Sequence, residues 1–103
     1  MITQDQLKDV LERTDKLRHY LKIDEKKIEF EEEDLRTQAP DFWEDQKRAE
    51  AQMKKVKAIK KWIDGYNDVR AAADELQLAF DFYKEEMVTE EEVDADYQRA
   101  ISL

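Results

Sequence analysis

The stretch Ala39-Pro40-Asp41-Phe42-Trp43-Glu44-Asp45-Gln46 holds the only proline of the chain, and the sequence on both sides of it has helical periodicity. Proline has no N–H, clashes with the preceding turn and pushes the residue before it out of the helical region, so a helix reaching Ala39 must stop there. Phe42 and Trp43 follow at once, where a loop is ordinarily polar. Left in water, each ring would forgo roughly 2–3 kcal/mol of burial. The stretch therefore predicts a structural corner between two helices. Pro40 makes the break, Phe42 and Trp43 fold back as a plug, and Glu44 or Asp45 caps the helix that follows. On this reading Trp43→Ala costs about 3–5 kcal/mol.

Upstream of the corner, a helix over 24–38 opens at Asp24, with Ile23 and Ile28 placed as a hydrophobic staple and a thin apolar face of Ile28, Phe30, Leu35 and Ala39. The acidic run Glu31-Glu32-Glu33-Asp34 cannot converge on a cation, because successive helical residues point about 100° apart, so it reads as a solvated face. The first helix, over 3–22, begins with a Thr3/Gln6 capping box and an Ile2/Leu7 staple, and carries the seam Leu7, Val10, Thr14, Leu17, Leu21. Glu12 and Lys16 form an i,i+4 pair on its wet side.

Downstream, the longest periodic pattern spans 46–87. Its seam is Ala49, Met53, Val56, Ile59, Ile63, Tyr66, Val69, Ala73, Leu76, Phe80, Tyr83, Met87, with two adjacent three-residue steps at Ile63-Tyr66-Val69 that rotate the buried face. Gly65 lies at that point and costs about 1 kcal/mol against alanine in a helix interior. The pattern predicts one continuous helix, with Gly65-Tyr66-Asn67-Asp68 as the place where it would bend or break. A last helix over 90–102 opens with a Thr89/Glu92 capping box and a Val88/Val93 staple. It reaches Leu103 without a stop signal, which reads as a fragment of a longer protein.

These elements predict an all-α, antiparallel helical bundle or coiled coil of about four helices around one long central helix, forming a single domain over 1–103. The first and second helices pack on the near half of the long helix, and the fourth packs on its far half. With 44% charged residues, one glycine and one proline, composition agrees. Leu78 and Phe82 point to a second side of the long helix. Together with Tyr97 and Ile101 they are expected to need cover from the rest of a longer chain, a second copy, or the fourth helix swinging across.

Composition also limits function. Without cysteine there is neither a disulfide framework nor a thiolate ligand or nucleophile, which suits a reducing, cytoplasmic setting. No segment has the length and apolarity of a membrane span or signal peptide. A net charge of −9 speaks against a nucleic-acid clamp, so neither membrane nor DNA is expected as a partner. His19 is the only histidine, Ser102 has no base near it, and one glycine leaves no phosphate loop. No catalytic, cofactor or metal residue is assigned. The one enzyme type that suits the length, a small helical chorismate mutase, needs several inward cations, and here the bases lie off the apolar seams. Trp62, Tyr66, Phe80, Phe82 and Tyr83 read as packing residues rather than a stacking platform.

One basic feature stands out. Lys47, Lys54, Lys57 and Lys61 share a face of the long helix opposite Val56 and Ile63. Like charges at i+3 and i+4 cost an isolated helix a few tenths of a kcal/mol each, so helix stability does not explain them, although Glu50 is placed to pair with Lys54. They are the candidate partner contact.

Residues 24–49 carry Asp24-Glu25-Lys26-Lys27, a Glu-rich helix, and then Pro40-Asp41-Phe42-Trp43-Glu44-Asp45-Gln46-Lys47-Arg48-Ala49; ahead of them stands Leu17-Arg18-His19-Tyr20-Leu21. This pattern resembles the N-terminal helical region of the bacterial release factor 2 family, among the class I peptide chain release factors. The family's Ser-Pro-Phe codon-reading motif and Gly-Gly-Gln hydrolysis motif are both absent from this chain. The resemblance thus implies a non-catalytic interaction domain in translation termination at stop codons. Its implied partners are the ribosomal GTPase-associated centre, the recycling GTPase release factor and the remainder of the same chain. The alternative reading is a stand-alone coiled-coil adaptor dimerising along the long-helix seam.

Overall fold

A computed structural model describes all residues, Met1–Leu103, and they form four α-helices and one short 3₁₀ turn without a strand. The helices are α1 (Gln4–Tyr20), α2 (Ile23–Arg36), α3 (Gln46–Lys84) and α4 (Glu90–Ser102). The all-α architecture with one long helix is as expected. The chain divides into two compact units, Met1–Leu17 with Tyr66–Leu103, and Arg18–Gly65.

In the first unit, α1 and α4 pack against residues 66–84 of α3. The core is Ile2, Leu7, Val10, Ala72, Ala73, Leu76, Ala79, Phe80, Val93 and Ala100, flanked by Leu11, Tyr83, Val88 and Tyr97. This corrects the expected pairing, because the buried face of α1 lies on the far half of α3 and not on the near half. The local signals at both helix starts hold. Thr3 and Gln6 exchange backbone-to-side-chain bonds at 2.8 and 3.1 Å, and Thr89 and Glu92 do the same at 3.4 and 3.3 Å. Thr14, polar on an apolar seam, is buried because its hydroxyl donates to the Val10 carbonyl at 2.8 Å. Two polar ties close the ends: the N-terminal amine and the Ile2 N–H both reach Asp94, and Arg99 pairs with Glu75. With three helices sharing this core, Phe82 and Tyr97 are half-buried while Leu78 and Ile101 remain exposed.

The second unit sets α2 against residues 46–65 of α3. Its buried apolar residues are few: Ile23, Ala49, Val56 and Ile59. Here the reading of α2 needs correction. Lys22, not Asp24, stands before the helix, in a left-handed conformation (φ 53°) without a side-chain cap, and Asp24 in the first turn receives Arg18 instead, at 2.7 Å. Ile23 is fully buried but Ile28 and Leu35 are exposed, so the staple does not form. The face that α2 turns inward is Ile23, Lys26, Phe30, Glu33 and Thr37, with the 3-4 spacing of a helical stripe.

The corner lies where Pro40 places it. α2 ends at Arg36, Phe42–Glu44 form the 3₁₀ turn, and the Asp45 carboxylate caps α3 by accepting from the Arg48 N–H at 3.1 Å. The plug does not form. Phe42 is half-buried, whereas Trp43 is 65% exposed, its ring meeting Phe42 edge-on at 5.0 Å. The two rings shield each other in place of a core. Beyond the corner, α3 runs unbroken through Gly65. Every expected seam residue from Ala49 to Tyr83 is buried or half-buried, but Met87 is not, because α3 ends at Lys84. The seam an α3–α3 dimer would use is thus already covered within the chain.

Candidate functional site

The candidate site is the outward face of α3 in the second unit. Residues 46–65 contain Lys47, Arg48, Lys54, Lys55, Lys57, Lys60 and Lys61 against only Glu50 and Asp64. The neighbouring α2 is acidic, and one of its carboxylates sorts the lysines. Glu33 is 7% exposed, the one buried acid of the quartet expected to be solvated. Gln52 donates to its carboxylate at 2.7 Å and to its carbonyl at 2.8 Å, while Lys55 approaches at 3.2 Å and Arg36 at 3.8 Å. The Gln52 hydrogen bond, then Lys55 and the Arg36 charge, hold the Glu33 carboxyl below its ordinary range against the opposing effect of burial. Periodicity could not find Glu33, because its partners lie 19 and 22 residues away.

Lys55 is therefore a structural cation, and the remaining lysines are not. Lys47, Lys54, Lys57 and Lys61 are all exposed and make no ion pair. Glu50 does not join Lys54, since it accepts instead from Gln46 at 3.5 Å. The helix thus brings the four lysines onto one open ridge, as their spacing requires. Trp62 corrects the sequence reading: unlike the buried Tyr66 and Phe80, it is 54% exposed, one residue from Lys61.

Each unit also carries a concavity. In the second unit, a cavity of about 430 Å³ at the corner is lined by residues of both signs, among them Arg36, Asp41, Asp45 and Arg48. In the first unit, a groove of about 250 Å³ is lined by Val10, Thr14, Leu17, Val69 and Ala100, with Arg13 as its one basic residue. Arg13 faces Asp9 at 3.7 Å. That groove does not supply the convergent cations a chorismate-mutase-like site requires. Of the other residues weighed for chemistry, His19 is exposed and Ser102 donates to the Arg99 carbonyl at 2.8 Å.

No helix of the chain is long and apolar enough to cross a membrane. No family model matches the sequence. No solved structure matches it either. Among curated proteins the chain is similar to a peptide chain release factor 2 from Aeromonas hydrophila, with 31% identity over 96 residues that cover 89% of this chain. The match spans 26% of that relative's length, and it supports a release-factor relationship for the helical region described above.

Proposed function

We propose that this chain is a non-catalytic interaction module of a peptide chain release factor, an N-terminal helical domain that works in the cytoplasm, at the ribosome, during translation termination. The observation that carries this reading is the similarity over 89% of the chain to a release factor 2. The physical counterpart is the ridge of Lys47, Lys54, Lys57 and Lys61. Four like charges held unpaired on one helix face cost stability and are accounted for by an anionic contact. The ribosomal GTPase-associated centre and the recycling GTPase release factor are the partners this reading implies, and the rest of a longer chain would supply codon reading and hydrolysis.

Cosedimentation with ribosomes tests the reading. The protein is expected to pellet with ribosomes in a salt-sensitive manner, and reversal of the four lysines to glutamate is expected to weaken binding at least tenfold with helicity unchanged. Ribosome binding unaffected by the reversal would remove the ridge from the contact, and no binding by the unaltered chain would remove the function. The isolated chain is expected to be inactive in peptidyl-tRNA hydrolysis. Reading frame sequence continuing into Ser-Pro-Phe and Gly-Gly-Gln would separate the release-factor reading from an independent adaptor.

A further inference from the structure

The part of α3 that belongs to the first unit is apolar on two sides. Leu76 and Phe80 are buried in the core. Leu78 and Phe82 each stand two residues further on, about 200° round the helix, and so on the side away from that core. Leu78 is 53% exposed and Phe82 is half-buried. At i,i+4 the two are neighbours on the helix surface. The row continues past the helix end. The Met87 N–H donates to the Phe82 carbonyl at 2.9 Å, the bond of a Schellman motif, which sets these two residues side by side. Met87 is 64% exposed. Leucine, phenylalanine and methionine thus stand in one row, with two of the three mostly in water.

Charge decides what can cover the row. The other neighbours of Leu78 at three and four residues are Asp74, Glu75 and Asp81, and Phe82 has Glu85. Asp74 pairs with Arg70 and Glu75 with Arg99, but Asp81, Glu85 and Glu86 have no ion pair. Residues 74–96 hold ten carboxylates against one cation, Lys84, which lies over the Phe80 ring at 5.0 Å. A second copy would bring the same acids against these. A nucleic acid or an anionic membrane would bring further negative charge, so repulsion opposes all three. Lysine or arginine is what complements this rim. Methionine and aromatic residues are enriched in protein interfaces, within a polar rim, and a flexible methionine adapts to the apolar side chain it meets. The four-residue step from Leu78 to Phe82 matches the apolar stripe of an opposing helix. We propose that Leu78, Phe82 and Met87, rimmed by Asp81, Glu85 and Glu86, dock an amphipathic helix of a partner protein whose apolar stripe is flanked by lysine or arginine. This surface shares no residue with the lysine ridge and does not depend on the release-factor reading.

The probe is a synthetic helical peptide of about five turns, with a leucine stripe and lysine at its other positions. The controls are a peptide of the same composition with its leucines dispersed, a version with glutamate in place of lysine, and poly-lysine. Calorimetry is expected to show the cationic amphipathic peptide binding roughly tenfold more tightly than any control, the factor that burying one large aliphatic side chain provides. Amide chemical-shift changes are expected at residues 74–88 and not along α2. Leu78→Gln combined with Met87→Gln should weaken binding by roughly tenfold or more. Both positions are exposed, so the helical circular dichroism spectrum should be unchanged. Asp81→Asn combined with Glu85→Gln should lower the affinity and flatten its salt dependence.

Equal binding of poly-lysine or of the dispersed peptide would reduce the effect to attraction by an acidic surface and overturn the site. Absence of binding by the amphipathic peptide, shifts centred on α2, or a preference for the glutamate version would overturn it as well. The chain alone is expected to sediment as a monomer, and a dimer abolished by Leu78→Gln would assign the face to a second copy instead.

Discussion

At the scale of single residues, the most consequential side chain of the second unit is a carboxylate. Glu33 is buried with its partners in place, so its charged form is the one the fold holds. Its proton affinity is lowered in the folded state from an ordinary value of 4.5, so its contribution is fully present above that value and is lost as pH falls through the lower folded value. The urea midpoint is therefore expected to drop between pH 6 and pH 3, and Glu33→Gln to lower stability at pH 6 while flattening that dependence. A Glu33→Gln protein that is as stable at pH 6 and as acid-sensitive as the parent would remove Glu33 from this role. Trp43 shows the opposite case, a conspicuous residue with little to hold. Because 65% of its surface is exposed, Trp43→Ala is expected to change stability by less than about 1 kcal/mol, while Leu76→Ala, at a fully buried position, should cost about 2–5 kcal/mol. Thermal or urea unfolding of the two variants side by side checks this.

At the scale of elements, α3 places glycine and glutamate where backbone energetics would exchange them. Its end is a Schellman motif: the Met87 N–H donates to the Phe82 carbonyl and the Glu86 N–H to the Tyr83 carbonyl, both at 2.9 Å. Glu86 holds the left-handed position of that motif, with φ 61°, where a Cβ is unfavourable. Gly65 sits mid-helix instead, with a negative φ and nothing within 4 Å of where a Cβ would be. Glu86→Gly and Gly65→Ala are each expected to stabilise the protein by about 1 kcal/mol, and to add when combined because the sites are far apart in sequence. A loss of stability in either variant would show that the position is constrained by something other than its backbone.

At the scale of the whole molecule, charge and core are unevenly shared. All of the net charge of −9 falls on residues 1–17 and 66–103, since Arg18–Gly65 carries equal numbers of basic and acidic side chains. The first unit also holds the large contiguous apolar core, whereas the second rests on four buried apolar side chains and the Glu33 cluster. Local stability follows buried apolar contact. Amide hydrogen exchange is therefore expected to be slowest at residues 72–80 and markedly faster along α2. Equal protection of α2 and residues 72–80 would mean that polar bonds hold the second unit as firmly as apolar packing holds the first.

The all-α class, the corner at Pro40, both capping boxes, the continuous seam of α3 from Ala49 to Tyr83 and the lysine ridge were legible in the residues alone. These are local properties, read from spacing along one helix or from a proline that cannot continue one. That α1 belongs with the far half of α3, that Trp43 and Trp62 face water, and that Glu33 faces inward emerged with the packing of the helices. Each of these depends on which helix arrives to cover a face. Periodicity shows that a face must be covered, but the partner comes from residues distant in sequence, and a polar residue such as Glu33 can take an inward place once Gln52 and Lys55 meet it.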